Sequence, residues 1–325
     1  MGLAVGSRES TTVPAVLKRP SATPMSSPTR GPQSSYPPPV RLPLPLQPLL
    51  ALITVQLLFG AHPVIAKLAF PAFGPGGVAL ARVLGAAVVL QIVRVARKEA
   101  GLDLRTHLRI GVAAFFGIVS NQLLYIYGLA QTTVTHASLL IVTVPVATLC
   151  VAILAGRERA SGLRIGGIVL ALCGAASVVA HRGSLGGGAL VGDLMILANT
   201  VAYAVYLVLG RDLVATVSPW TLGAWLFTWG VPMVLVVTGV PTIGETNAHA
   251  WMALTFVVLG STVGTYVLNL VALRTVPASV VAVFVCLQPT IAAALALPLL
   301  GETLDAWTVA AGVVTIAGML LATRG

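Results

Sequence analysis

The sequence predicts an all-α integral membrane protein in which ten transmembrane helices form two inverted five-helix repeats. Three observations carry that prediction: ten long apolar runs between Leu49 and the C-terminus, a charged fraction of only 9% with a mean hydropathy of +0.96, and scarce residues that recur 144 positions apart. A soluble domain carries about 25% charged residues, so soluble fold classes are excluded. The formal net charge of +10 does not mark a nucleic-acid binder, because the basic residues sit in the connections between apolar runs.

Residues 1–47 hold 10 of the 21 prolines and many Ser and Thr. They have no apolar segment to bury and are expected to be a disordered cytoplasmic tail. No apolar stretch precedes a small-residue cleavage site, so no signal peptide is expected. Gly6 stands where a myristoylation signal wants Ser or Thr, and Met25 is a possible alternative start.

The apolar runs fall at residues 49–68, 77–96, 110–130, 134–155, 163–180, 190–209, 219–240, 250–273, 276–300 and 306–323. Each is long enough to cross about 30 Å of hydrocarbon at about 1.5 Å per residue, some with a tilt. They lack the alternation of barrel strands, which leaves helices as the spanning form. Sixteen Lys and Arg lie in the tail and alternate connections, against one, Arg182, on the opposite side. That bias places both termini in the cytoplasm. Cys150, Cys173 and Cys286 all fall inside apolar runs without CxxC spacing and are expected to pack, with neither disulfide nor zinc. The Arg-, Ala- and Gly-rich composition suggests a GC-rich bacterium and hence an inner-membrane location.

The offset of 144 pairs Lys67 with Arg211, Pro145 with Pro289, Glu158 with Glu302 and Gly174 with Gly318. Pro and Glu are rare near spans, so their joint recurrence at one spacing carries the weight. Each copy, residues 48–181 and 182–325, holds five spans. An odd number turns the second copy upside down, the architecture many secondary transporters use for alternating access.

Several segments in this order resemble a known family: Gly60-Ala61-His62-Pro63 through Lys67, Ala81-Arg82, Asn121-Gln122-Leu123-Leu124-Tyr125 with Gly128-Leu129, Pro145 with Arg157-Glu158, Gly192-Asp193, and Gln288-Pro289 with Gly301-Glu302-Thr303-Leu304. Over residues 48–323 they look like the two EamA repeats of the drug/metabolite transporter superfamily. The resemblance implies export or uptake of small metabolites, often amino acids or related compounds. Arg157-Glu158 departs from the Gly-Glu that Gly301-Glu302 keeps.

Polar residues at helical spacing inside spans point to a pathway, because each is costly in lipid unless paired or facing a cavity. Gly117, Asn121, Tyr125 and Gly128 lie on one face of span three. The offset maps them onto Ser261, Thr265, Asn269 and Ala272 of span eight. Asn199, Tyr203 and Tyr206 of span six map likewise onto Val55, Phe59 and His62 of span one. The candidate substrate-binding set is therefore His62, Arg82, Asn121, Tyr125, Tyr203, Tyr206, Thr265 and Asn269. The alternative for each is a hydrogen bond between neighbouring helices. Arg82 suits an anion or a packing role equally, and Lys67 is expected to snorkel to the interface. Pro145 and Pro289 are expected to bend their spans at mid-length, with Pro63 a third break. Gly162 and Gly166 form a GxxxG packing motif, within one chain or between two; a monomer and a homodimer are both compatible with it.

No GxxxxGK[ST] occurs, so ATP-driven transport is not expected. Asp193, Glu158 and Glu302 sit at span ends, which speaks against a cation antiporter built on a buried carboxylate. It leaves a facilitator, an exchanger, or proton coupling through His62 or the substrate. No nucleophile and base face each other in a span, so an intramembrane hydrolase is disfavoured, and no cofactor or metal is expected. A non-transporting scaffold or lipid scramblase needs no symmetric polar faces. The expected partners are a small-molecule substrate and the bilayer.

Overall fold

The computed structural model describes residues 46–183, 187–268, 284 and 287–324. The tail up to residue 45, Asn269 and Cys286 lie outside them. Every regular element among the described residues is helical, and eight helical stretches are long and apolar enough to cross a membrane. The first, α1 (Leu46–Ala96), contains both of the first two expected spans. It turns at Gly74, whose φ of 63° and ψ of 165° suit only a residue without Cβ. His62 and Arg82, 20 residues apart and 3.0 Å from one another, show that the chain doubles back there; a straight helix would hold them about 30 Å apart. Pro63 sits within the first limb without leaving helical geometry, so the expected break at that position is absent.

The third passage joins α2 (Leu104–Ala114), a π-helical segment (Phe115–Ser120) and α3 (Asn121–Gln131). The fourth is divided into α4 (Val134–Ile141) and α5 (Val144–Leu154). Pro145 stands in the first turn of α5, where no N–H is needed. It restarts a helix rather than bending one, and the Thr143 hydroxyl donates to the Leu140 carbonyl at 2.7 Å across the break. Pro289 lies in α10 (Leu287–Leu300). Between them run α6 (Gly162–Gly183), α7 (Gly187–Thr216), α8 (Pro219–Thr238) and α9 (Ala248–Thr255). A second π-helical segment (Phe256–Gly264) continues α9. The last helix is α11 (Ala306–Arg324), capped by Asp305, which accepts from the Thr308 backbone N–H and hydroxyl at 2.8 Å each. That backbone bond holds the Asp305 carboxyl below its ordinary pKa.

Contacts between connections sort into two ends, as alternating passages require. At the arginine-rich end, Arg109 and Arg157 meet Asp212, and Glu99 accepts from Thr221. At the arginine-poor end, Gly244 donates to the Ala72 carbonyl, His181 faces Asp305, and Glu302 meets Thr135. Helices α6 and α11 approach most closely through glycine. A Cβ on Gly174 would stand 2.6 Å from the Thr315 nitrogen, and one on Gly318 2.7 Å from the Ala171 Cα. Gly162 and Gly166 instead face open space, so the GxxxG pair takes no part in this contact. Cys150 is half-buried and Cys173 exposed, both as free thiols.

Candidate functional site

Two of the expected site residues form the centre of a buried network. Arg82, 6% exposed, and His62, 3% exposed, face each other from the two limbs of α1. Arginine carries donors only, so the 3.0 Å contact requires His62 Nε2 to accept from Arg82 Nη1. His62 is then neutral with its proton on Nδ1, which donates to the Ser261 hydroxyl at 2.9 Å. Arg82 Nε donates to Thr262 Oγ1 at 3.0 Å. Both hydroxyls in turn donate to the Val257 carbonyl, Ser261 at 2.9 Å and Thr262 at 2.8 Å. Ser261, Thr262 and Val257 all lie in the second π-helical segment, whose wider turn carries Ser261 and Thr262 side by side on one carbonyl. Tyr125 stacks on the His62 ring at 5.6 Å. Thr265 follows one turn later and donates to the Ser261 carbonyl at 2.8 Å.

The offset that relates the two repeats also relates their contacts. His62 against Ser261 maps onto Tyr206 against Gly117, and the Tyr206 ring lies directly over Gly117 in the first π-helical segment. The two π-helical segments overlap under the same shift. Tyr203 stands beside Tyr206, ring centres 5.7 Å apart. Asn121 is engaged through its backbone carbonyl, which accepts from the Asn199 side chain at 2.6 Å. His62, Arg82, Tyr125 and Thr265 are therefore brought together around one network, while Tyr203 and Tyr206 belong to its counterpart on α7. Asn269 lies outside the described residues.

A second polar cluster occupies the arginine-poor end, and its connections were not visible in the sequence. Glu302 accepts the Val134 N–H at 2.6 Å, the Thr135 N–H at 3.0 Å and the Thr135 hydroxyl at 3.0 Å, which places a carboxylate on the N-terminus of α4. Lys67 lies 3.7 Å from Glu302 and donates to the Thr132 carbonyl at 2.5 Å. It thus points into the protein, and the expected snorkelling is corrected. The Thr132 hydroxyl donates to Asp193, whose other oxygen lies 3.1 Å from His136 Nδ1. Asp193 lies inside α7 (Gly187–Thr216), beyond its first turn rather than at the expected end, and its exposure is 0%. The absence of a buried carboxylate inferred from its position therefore does not hold. The signal available beforehand was the recurrence of Glu158 at Glu302; no periodicity announced His136. Every contact in this cluster except that of Lys67 with Thr132 joins the first repeat to the second.

At the arginine-rich end Arg109 and Arg157 share Asp212, at 3.7 and 3.6 Å. They line a cavity of about 230 Å³ with Val112, Leu209 and Leu213. Glu158, the counterpart of Glu302, pairs there with Arg164 at 2.9 Å.

Comparison with known proteins agrees with the two-repeat organisation. The sequence model of the EamA-like transporter family matches residues 46–180 and again 190–324. An uncharacterized transporter of Archaeoglobus fulgidus is 29% identical over 223 residues, 66% of this chain and 76% of that one. A solved structure described only as the crystal structure of a protein superposes with a TM-score of 0.59 over 85% of this chain and 96% of its own, at 17% identity, a likeness of fold alone. With both repeats matched over most of its length, this multi-pass membrane protein belongs to the EamA-like transporter family.

Proposed function

We propose that the chain is a ten-helix permease that moves a small metabolite, such as an amino acid or related polar compound, by alternating access between its two inverted halves. In this reading it lies in a bacterial inner membrane with both termini in the cytoplasm. The observation that carries it is the composition of the buried network: His62 and Arg82 come from the first repeat, Ser261, Thr262 and Thr265 from the second. A site split between halves is one that a relative movement of the halves opens to either side. The cross-repeat contacts of Glu302 and Asp193 hold the arginine-poor end together, while the cavity beside Arg109 and Arg157 lies at the other.

Two π-helical segments at equivalent places supply a reason for movement. A π-helical turn holds one residue more than its neighbours and is a frequent companion of functional sites. The test is efflux of a bacterial metabolite extract from proteoliposomes containing the purified chain, read by mass spectrometry against empty vesicles. Selective loss of particular compounds is expected. Release of lipid between leaflets with no selective metabolite flux would favour a scramblase.

A further inference from the structure

Arg82 carries a full charge into the bundle with no carboxylate beside it among the described residues. Its Nε and Nη1 are taken by a threonine hydroxyl and a neutral histidine, and its Nη2 makes no hydrogen bond among the described residues. The chain has nine acidic residues. Glu9 is in the tail; Glu99, Asp103, Glu158 and Asp212 belong to the arginine-rich end, and Asp193, Glu245, Glu302 and Asp305 to the arginine-poor one. None is within 4 Å of the guanidinium among the described residues. A nine-tenths buried cation held by neutral acceptors alone is costly to keep. A permanent packing role would be served at lower cost by an uncharged side chain.

We propose that Arg82 is the counter-ion for an anionic substrate, a small organic carboxylate, and that His62 is the acceptor that holds its place when the site is empty. This rests on the transport reading above. A carboxylate matches the planar fork of a guanidinium with two parallel hydrogen bonds. On the Nη1/Nη2 edge it takes Nη2, which makes no hydrogen bond among the described residues, and displaces His62 Nε2 from Nη1. Thr262 keeps Nε and so fixes the plane of the fork throughout. The displaced His62 retains its bond to Ser261 and its stacking on Tyr125, which makes the exchange a local one. His62 and Arg82 both belong to the first repeat, so the exchange breaks a contact within that repeat and leaves the link from Arg82 to Thr262 of the second in place.

The test uses proteoliposomes of the full chain loaded with matched pairs that differ chiefly in charge: benzoate and benzamide, phenylacetate and phenylacetamide, L-phenylalanine and L-phenylalaninamide, pyruvate and pyruvamide. Protein-dependent efflux is expected of a carboxylate and not of its amide. Arg82→Gln should reduce that efflux at least tenfold, and Arg82→Lys, which keeps the charge but loses the fork, should also reduce it. His62→Leu, which removes the competing acceptor, should lower the half-saturating concentration. The melting temperature of Arg82→Gln without substrate should stay unchanged or rise, whereas a packing role requires it to fall. Efflux confined to amides, or carboxylate efflux indifferent to Arg82, overturns the anion site and leaves the transporter reading standing. No protein-dependent efflux of any member, together with none from the metabolite extract, overturns both.

Discussion

Glu302 Oε1 accepts the backbone N–H of Val134 at 2.6 Å, so a carboxylate of the second repeat caps a helix of the first. Its other oxygen takes the N–H and hydroxyl of Thr135, and Lys67 lies beside it. Glu302→Ala leaves these donors without partners. Hydrogen bonds to charged groups contribute about 1.5–3 kcal/mol, and a loss of that size is expected. Glu302→Gln, which keeps an acceptor, should lose less. Reversible denaturant unfolding in detergent checks both, and equal losses would contradict the capping role.

The pairing of Asp193 with His136 and Thr132 predicts a second sensitivity at the same end. Asp193→Ala removes the acceptor of two buried donors, at about 1–3 kcal/mol for each group left unsatisfied. Asp193→Asn retains one acceptor and should cost less. A double-mutant cycle with His136→Ala should show non-additivity of at least about 0.5 kcal/mol. Additive losses would mean that the two side chains act separately.

Gly117 is fixed by the ring above it. A Cβ there would stand 2.5 Å from the Tyr206 Cγ, at the root of the ring rather than at a flexible tip. Gly117→Ala is expected to cost about 1–3 kcal/mol through overpacking. Tyr206→Ala in the same chain should recover part of that loss, and failure to recover any would show that the strain lies elsewhere.

Orientation follows from the basic bias and is measurable independently of transport. In a Cys-free background, a cysteine at Thr246, in the connection before α9, should react with an impermeant thiol reagent from outside the cell. One at Thr106, at the arginine-rich end, should not. The opposite pattern would invert the protein.

The spans were legible in the sequence because hydrocarbon thickness sets a length that apolar runs either meet or do not. The doubled-back α1 and the long α7 are both visible in this way, although Gly74 as the turning point is not. The candidate site was legible in part. His62, Arg82, Tyr125 and Thr265 stood out because polar residues inside spans are expensive, and the structure places them around one network. The shift of 144 joined His62 to Tyr206 and Gly117 to Ser261, which the structure then brings into equivalent contacts. What remained hidden depends on partners distant in sequence. Lys67 near a span end is compatible with snorkelling until Glu302 and Thr132 are placed beside it. Asp193 near the start of an apolar run is compatible with exposure until His136 covers it. Pro145 within an apolar run signals a bend, whereas the break at Val142 and Thr143 makes it the start of a helix. Neither π-helical segment has a composition of its own, since one added residue per turn alters hydrogen bonding and not hydrophobicity.

The most direct measurement of the central claim is a reversible lock on the arginine-poor end. Cysteines at Thr135 and Glu302, placed in a Cys-free chain and bridged by a short bifunctional methanethiosulfonate reagent, tie the first repeat to the second where the structure holds them in contact. Metabolite efflux from proteoliposomes should stop when the bridge forms and return when a reductant cleaves it, with the unbridged double variant active throughout. Efflux that continues unchanged through complete bridging would contradict alternating access between the two halves.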